Sequence, residues 1–168
     1  MRRRQNFNGS EKSKTFNRIF NNFDLGNKKV LDIGCGNGDF LSFFGKGSLG
    51  ITTTQEEVNF GRENNLSIIL GNAELIDQLN IKKSFSVIWA NNLFEHLLSP
   101  HSFLIKLKKM AGSDTTLILG VPVVPKLNFL LNINKFRGSL ASNHINFFTK
   151  KTLQLTVERS GWKIKEVK

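Results

Sequence analysis

The chain has 168 residues with an ordinary apolar content of 39%, which is enough for one globular domain and short for two. Its single cysteine excludes an internal disulfide and a cysteine-based zinc cluster. The net charge of +11 is compatible with an anionic partner such as RNA, but the basic residues are spread along the chain, which favours an ordinary lysine-rich surface.

The N-terminal segment, residues 1–27, is polar and basic, and we expect it to be part of the same domain or flexible. The arginines at 2–4 precede polar sequence rather than the apolar core of a secretory signal. Apolar residues at helical spacing predict a short helix at 15–23. No stretch reaches the roughly 18–20 apolar residues of a membrane-spanning helix, so we expect a cytoplasmic protein with no membrane span.

Predicted strands and helices then alternate. Short apolar and β-branched runs predict six strands at 29–33, 47–52, 66–70, 85–90, 115–121 and 162–167. A helix is expected to begin in residues 39–44, and three more are expected at about 55–64, from 100 onwards and from 150 to 160. Thr54 and Glu57 predict a capping box for the second of these helices.

Continuous apolar strands separated by helices predict a mostly parallel sheet with helices on both faces, a doubly wound, Rossmann-like α/β fold. Residues 122–148 interrupt the alternation with two prolines, an apolar patch and basic residues. We expect this segment to form an insertion or lid beside the functional site.

A glycine-rich turn follows the first predicted strand in the sequence VLDIGCGNG, residues 30–38. Glycines let backbone N–H groups approach a ligand with no Cβ in the way. The spacing G-x-G-x-G differs from the G-x-G-x-x-G of dinucleotide-binding loops. It suits a smaller ligand, such as the amino-acid end of a nucleoside cofactor.

This string resembles motif I of the class I S-adenosylmethionine-dependent methyltransferases. The resemblance covers residues 28–167 and implies one methyltransferase domain at 28–168 that uses S-adenosyl-L-methionine and releases S-adenosyl-L-homocysteine. It implies that Gly34, Gly36 and Gly38 form the cofactor loop, with Cys35 as a small residue that fits within it. It also implies that Asp32 orients this loop or contacts the methionine ammonium group.

Two positions depart from the family pattern. Thr52 ends the second predicted strand where the family usually has an acid that binds the ribose hydroxyls, so we expect modest affinity unless Gln55 or Glu56 helps. The same region also resembles the cyclopropane fatty-acid synthase branch. Asn72 and Ala73 resemble the family's Asp-Ala pair after the third strand, and Asn72 is expected to contact the adenine amino group through its side-chain oxygen.

The later segments resemble the type 11 and type 23 branches of the family. Asn91 ends the fourth predicted strand, where open α/β sheets bind ligands. The sequence FEHL at 94–97 resembles the signature that follows this strand in those branches. The sequence HINFFT at 144–149 resembles a later element of type 23 members.

Methyl transfer chiefly requires alignment of the reacting atoms, and a general base helps only when the acceptor must lose a proton. His144 and His96 are the candidate catalytic bases, and His101 is a weaker candidate that is expected to be exposed. Fastening of the lid is the alternative role for His144, and a structural role is the alternative for His96. Because the chain shows no cluster of acids near the acceptor, no metal site is predicted.

Three functions compete. The first is methyl transfer to an oxygen or nitrogen of a small or medium-sized metabolite. The second is an RNA-directed or ribosomal-factor methyltransferase, which the charge favours. The third is a degenerate or truncated domain that acts as a binding module, which Thr52 and the short C-terminus favour. Base amino methylation is disfavoured, because no Asn/Asp-Pro-Pro-Tyr sequence follows the fourth predicted strand.

Methyltransferases of this class usually end in a hairpin whose last strand inserts, antiparallel, beside the fifth. Nothing follows the sixth predicted strand here, so we expect an incomplete C-terminal hairpin. The resulting open sheet edge could support a homo-oligomer.

Overall fold

The computed structural model describes residues 13–81, 85–124 and 143–167. Five strands lie within these ranges: β1 (Val30–Ile33), β2 (Leu49–Thr52), β3 (Ile68–Leu70), β4 (Val87–Asn91) and β5 (Thr116–Gly120). The α-helices are α1 (Lys14–Asn22), α2 (Gln55–Glu63), α3 (Pro100–Met110) and α4 (Lys150–Arg159). Short 3-10 helices lie at Leu25–Asn27, Leu41–Phe43, Ala73–Gln78 and Phe94–His96.

The strands form one parallel sheet in the order β3-β2-β1-β4-β5. The chain runs outwards from β1 to β3, then crosses back to place β4 on the other side of β1. This reversal makes a crevice at the carboxyl ends of β1 and β4, where open α/β sheets bind their ligands. The predicted parallel, doubly wound sheet is confirmed.

Each face of the sheet has its own apolar core, because successive side chains of a strand point to opposite faces. On one face, Leu31 and Ile88 pack with residues of α3 and α4. On the other face, Val30 and Val87 pack with residues of α1 and α2. Helices therefore cover both faces, as predicted.

The ends of the last two helices follow their local sequence. Pro100 occupies the first turn of α3, where its missing N–H costs nothing. The Thr149 side chain accepts a hydrogen bond from the Thr152 backbone N–H, and the Thr152 side chain accepts one from the Thr149 backbone N–H, so the two residues close a capping box at α4. The predicted capping box at α2 is wrong, because the Thr54 side chain makes no capping hydrogen bond and Glu57 bonds to Thr52 instead.

Two predicted elements are not found. Residues 39–44 form turns and a single 3-10 turn rather than a helix, because the Gly45 N–H bonds to the carbonyls of Leu25 and Lys28 and draws the chain aside. Residues 162–167 form no strand: the Trp162 indole N–H donates to the Leu104 carbonyl at 3.0 Å and anchors this segment on α3. Within the described ranges β5 pairs only with β4, and its residues are half-buried.

The N-terminal helix α1 belongs to the packed domain. The Ser13 side chain caps it, and Phe16 is only 3% exposed. The Phe16 ring lies 4.7 Å from the Phe40 ring and 5.7 Å from that of Trp89 in β4, measured between centroids. Residues 125–142, which hold most of the predicted lid, and residues 1–12 lie outside the described ranges. No described helix is long and apolar enough to cross a membrane.

The burial of Phe16 makes a testable prediction about stability. Phe16→Ala should lower the free energy of unfolding by about 3–5 kcal/mol, since it removes a buried ring from an aromatic cluster. Urea unfolding followed by circular dichroism measures this change. Phe147→Ala is the matched control. Phe147 is 52% exposed, so this substitution should lower the free energy of unfolding much less. Equal losses for the two variants would contradict the packing of α1.

Candidate functional site

The glycine loop at 34–38 connects the end of β1 to the crevice. Gly34, Gly36 and Gly38 have φ values of +78°, +55° and +82°, a region that residues with a Cβ rarely adopt. The backbone N–H groups of Gly34 and Cys35 both donate to the Ile51 carbonyl in β2, at 2.9 and 3.0 Å. The loop is therefore tied to the neighbouring strand at its first turn.

The three glycines differ in what surrounds them. A Cβ on Gly38 would lie 2.8 Å from Leu66, and one on Gly34 would lie 3.2 Å from Leu93. A Cβ on Gly36 would meet, among the described residues, only the Glu57 carboxylate at 3.8 Å. Gly34 and Gly38 thus allow close packing, while Gly36 faces open space.

Asp32 lies at the base of the loop and is 3% exposed. Burial raises the pKa of its carboxyl to about 8, and the nearby charge of Asp39 adds to the rise. Its Oδ2 atom is buried with no hydrogen-bond partner in the described part of the chain. Trp89 pairs with Asp32 across β1 and β4, and its indole N–H is also buried without a described partner.

Cys35 is half-buried between the loop and β2. Burial raises the pKa of its thiol, and the charges of Asp32 and Glu57 raise it further. A Cβ on Gly50 would lie 2.6 Å from the Cys35 sulfur, so the two residues pack closely. A thiol with a raised pKa is a poor nucleophile.

The end of β2 brings to the glycine loop a carboxylate that is not among the predicted site residues. Thr52 is buried, and its hydroxyl donates to the Glu57 carboxylate from the first turn of α2. Gln55 and Glu56, the expected helpers, are exposed, and Gln55 bonds to Asn59 instead. The position of Glu57 in the sequence could have indicated this contact. Glu57 follows Thr52 by five residues and lies in the first turn of a helix that begins beside the end of β2.

Asn72 and Ala73 follow β3 at the same edge of the sheet. The Gly71 N–H donates to the Thr52 carbonyl at 2.7 Å, which places this segment beside β2. The Asn72 side-chain oxygen caps the next helical turn by accepting from the Glu74 N–H at 2.9 Å. Asn72 is exposed, and Ala73 is buried.

Asn91 ends β4 on the other side of the crevice. Its side chain lies over Gly120 of β5, where a Cβ would collide with the Asn91 amide oxygen. Asn92 turns the chain with a φ of +51°. Leu93 then packs against Gly34, so the segment after β4 contacts the glycine loop directly.

Beyond Leu93, a glutamate and two histidines converge. Glu95 is 1% exposed, and its Oε1 lies 3.8 Å from His96 Nε2 and 4.0 Å from His144 Nε2. The two imidazole rings meet edge to face at 4.8 Å. The structure therefore brings the two candidate bases together around a carboxylate that was not predicted, and it leaves His101 exposed on α3.

A family model described as "Methyltransferase domain", of type 23, matches residues 2–167. The chain belongs to this methyltransferase family. It is therefore an S-adenosylmethionine-dependent methyltransferase domain, in agreement with the resemblance that motif I carries. No curated protein matches the chain significantly.

Solved structures share the fold of this methyltransferase. A candidate methyltransferase of Bacillus halodurans has a TM-score of 0.71 and 21% identity, covering 94% of this chain and 71% of that one. An S-adenosylmethionine-dependent methyltransferase of Archaeoglobus fulgidus has a TM-score of 0.69 and 20% identity over the same shares. The cyclase SpnF has a TM-score of 0.67 and 16% identity, covering 97% of this chain and 62% of that one. A shared fold does not identify the acceptor.

The residues present fit the cofactor, S-adenosylmethionine. The open space at Gly36 would admit a ligand that a Cβ would obstruct, and the unpaired Oδ2 of Asp32 is an acceptor that a cationic ligand could engage. Glu57 adds a half-buried carboxylate beside the same space.

The raised pKa of Asp32 predicts a pH-dependent loss of stability. An aspartate has a pKa of about 3.9 in the unfolded chain, so between roughly pH 4 and pH 8 unfolding releases a proton that folded Asp32 keeps. Stability therefore falls as pH rises across this range. Asp32→Asn should be more stable than the parent by a margin that grows from pH 5 to pH 8, reaching roughly 2–4 kcal/mol.

Urea unfolding at the two pH values measures this margin. Asp114→Asn, at an exposed site, is the control and should show no such growth. A margin for Asp32→Asn that stays constant with pH would contradict the raised pKa.

Proposed function

We propose that the protein transfers the methyl group of S-adenosylmethionine to an oxygen or nitrogen of a small or medium-sized metabolite. The observation that carries the proposal is the arrangement of the crevice. A glycine loop with one open position follows β1, and the Glu95, His96 and His144 side chains meet just beyond Leu93, which packs against Gly34 of that loop.

In this proposal the loop residues hold the cofactor. Asp32 accepts from the cationic amino-acid end, and Gly36 gives it room. Glu57, held by Thr52, takes the place of the acid that usually ends the second strand and accepts from the ribose hydroxyls. Asn72 and Ala73 lie at the adenine end, and Asn91 lines the wall at β4. When bound, the cofactor supplies an activated methyl group on a sulfonium.

The acceptor site is proposed to lie beside Glu95, His96 and His144. A hydroxyl or protonated amine must lose a proton around the time of attack, and this cluster offers groups that can take it. When no metal ion is bound to these three side chains, His144 is the preferred base. Only 10% of its side chain is exposed, and it faces Glu95.

RNA is the second candidate acceptor, and the net charge of +11 favours it. Several lysines have local partners, which weakens that argument. Lys106 pairs with Asp77 at 3.3 Å, Lys29 lies 4.9 Å above the Phe85 ring, and Lys108 lies 4.8 Å above Trp162. Methyl transfer to metabolite pools and to RNA, assayed at low and high salt, distinguishes the two, because RNA binding weakens steeply with salt.

Binding of S-adenosylmethionine by titration calorimetry tests the proposed function. Gly36→Arg should abolish binding, because its side chain would fill the open space beside Glu57. Gly161→Arg is the matched control: it also has a positive φ, of +82°, and a Cβ there would meet nothing within 4 Å among the described residues. Each substitution should carry a similar backbone cost of about 1 kcal/mol, and only Gly36→Arg should lose the ligand.

If the unchanged protein binds neither S-adenosylmethionine nor S-adenosylhomocysteine, the proposed reaction is wrong and a degenerate binding module is favoured. If Gly161→Arg loses binding as completely as Gly36→Arg, the location of the cofactor is wrong.

The proposed role of Glu57 makes a separate prediction. Glu57→Gln should weaken S-adenosylmethionine binding about 10- to 100-fold, since hydrogen bonds to a charged group contribute roughly 1.5–3 kcal/mol. Glu56→Gln removes the same charge from the same helical turn, but at an exposed site, and should bind like the parent. Calorimetry gives both affinities, and equal affinities would exclude Glu57 as a cofactor ligand.

A further inference from the structure

Glu95, His96 and His144 converge on one point just beyond Leu93, which packs against the glycine loop. One donor atom from each residue lies within 4.8 Å of the other two. Imidazole nitrogens and a carboxylate oxygen are ligands that divalent transition metals prefer. We propose that these three side chains bind a divalent first-row transition-metal ion. The clustered acids that the sequence lacks are not required here, because two of the ligands are histidines.

The orientation of His96 favours a cation at this point. Its Nδ1 lies 3.0 Å from the Asn143 carbonyl oxygen, which can only accept, so Nδ1 carries the proton of the neutral ring. Nε2, the other ring nitrogen, faces Glu95 Oε1 at 3.8 Å, which is too long for a hydrogen bond. That separation leaves room for a metal ion between the two atoms.

The Glu95 carboxylate supplies the second argument. It is 1% exposed, and its Oε2 is buried without a hydrogen-bond partner in the described ranges. Among the described residues, Oε1 has the two imidazoles as its ion-pair contacts, and a buried carboxylate that is incompletely compensated costs several kcal/mol. The Nε2 of His144 also lies at 4.0 Å from Oε1, beyond hydrogen-bond range. A cation within the cluster would compensate the buried charge more closely than the two imidazoles do at these distances.

Hydrogen bonds from the residues that follow His144 hold this third ligand beside Glu95. The N–H groups of Ile145 and Asn146 both donate to the Glu95 carbonyl, at 3.1 and 3.0 Å. The Asn146 side chain donates to the Leu97 carbonyl at 2.5 Å. Together with the bond from His96 to Asn143, these contacts fix the orientation of the ligands, which is the usual role of groups around a metal site.

The donor set indicates the class of ion. Two imidazoles and one carboxylate suit Zn²⁺, Co²⁺ or Fe²⁺ better than Mg²⁺ or Ca²⁺, which prefer oxygen ligands. Metal–ligand bonds of about 2.0–2.2 Å place neighbouring ligand atoms roughly 3–3.5 Å apart, so small side-chain rotations would close the cluster around the ion. Three protein ligands leave positions open for an acceptor oxygen. That use in methyl transfer rests on the proposed function, whereas metal binding does not.

Direct metal titration tests the site. Tag-free full chain, first treated with a chelator, is titrated with Co²⁺ while its visible absorption is recorded, and with Zn²⁺ and Mg²⁺ in a calorimeter. We expect one equivalent of Co²⁺ or Zn²⁺ per chain and much weaker binding of Mg²⁺. Glu95→Gln and His144→Gln should each weaken Co²⁺ binding more than about tenfold, since even changes outside the ligand set cost 10- to 100-fold.

His101→Gln is the matched control, since it removes an exposed histidine on α3 and should bind Co²⁺ like the parent. Circular dichroism of the same samples shows which variants are folded, and S-adenosylmethionine titration tests the proposed function separately. If Glu95→Gln does not fold, the comparison of His144→Gln with His101→Gln decides the question.

The proposal is overturned if the parent takes up neither Co²⁺ nor Zn²⁺. It is also overturned if His144→Gln binds as tightly as the parent, or if His101→Gln loses the ion equally. Metal uptake without S-adenosylmethionine binding would reject the proposed function alone, and the reverse result would reject the metal site alone.

Discussion

The Ile51 carbonyl accepts hydrogen bonds from both Gly34 and Cys35, and the rest of the crevice depends on these two bonds. They turn the chain sharply after β1 and hold the loop against the end of β2. The next residue of β2, Thr52, binds Glu57 and so sets that carboxylate above Gly36. The Thr52 carbonyl in turn accepts from Gly71 and fixes the segment after β3. One strand end therefore positions three separate parts of the site.

Asp32 shows why this arrangement costs stability. A carboxyl buried without a partner is expensive, and its pKa of about 8 expresses that cost. Burial of apolar side chains in two cores, one on each face of the sheet, offsets this cost. A cationic ligand at the base of the loop would offset the cost, so the feature that weakens the free protein is the one that favours binding. Such an exchange of stability for function is common at ligand sites.

Most of the architecture was predictable, because strands buried on both sides leave continuous apolar runs and the glycine loop carries a specific string. Contacts between distant residues were not. The failed helix at 39–44 depends on Gly45 meeting Leu25 and Lys28, and the missing strand at 162–167 depends on Trp162 reaching Leu104. Local sequence cannot distinguish a glutamate that caps its helix from one that turns to a neighbouring strand. Glu57, which the pattern places in a capping box with Thr54, binds Thr52 instead.

The cluster at Glu95 illustrates the same limit. His96 and His144 could each be identified as chemically important, yet neither suggested the other, because the bonds that join them run through backbone atoms. The carbonyl of Glu95 accepts hydrogen bonds from the N–H groups of Ile145 and Asn146, and this pairing helps to bring a distant histidine to a buried carboxylate. Backbone hydrogen bonds are nearly independent of side-chain identity. A site assembled in this way leaves little trace in the local pattern, and its chemistry becomes visible only when the segments after β4 and before α4 are placed side by side.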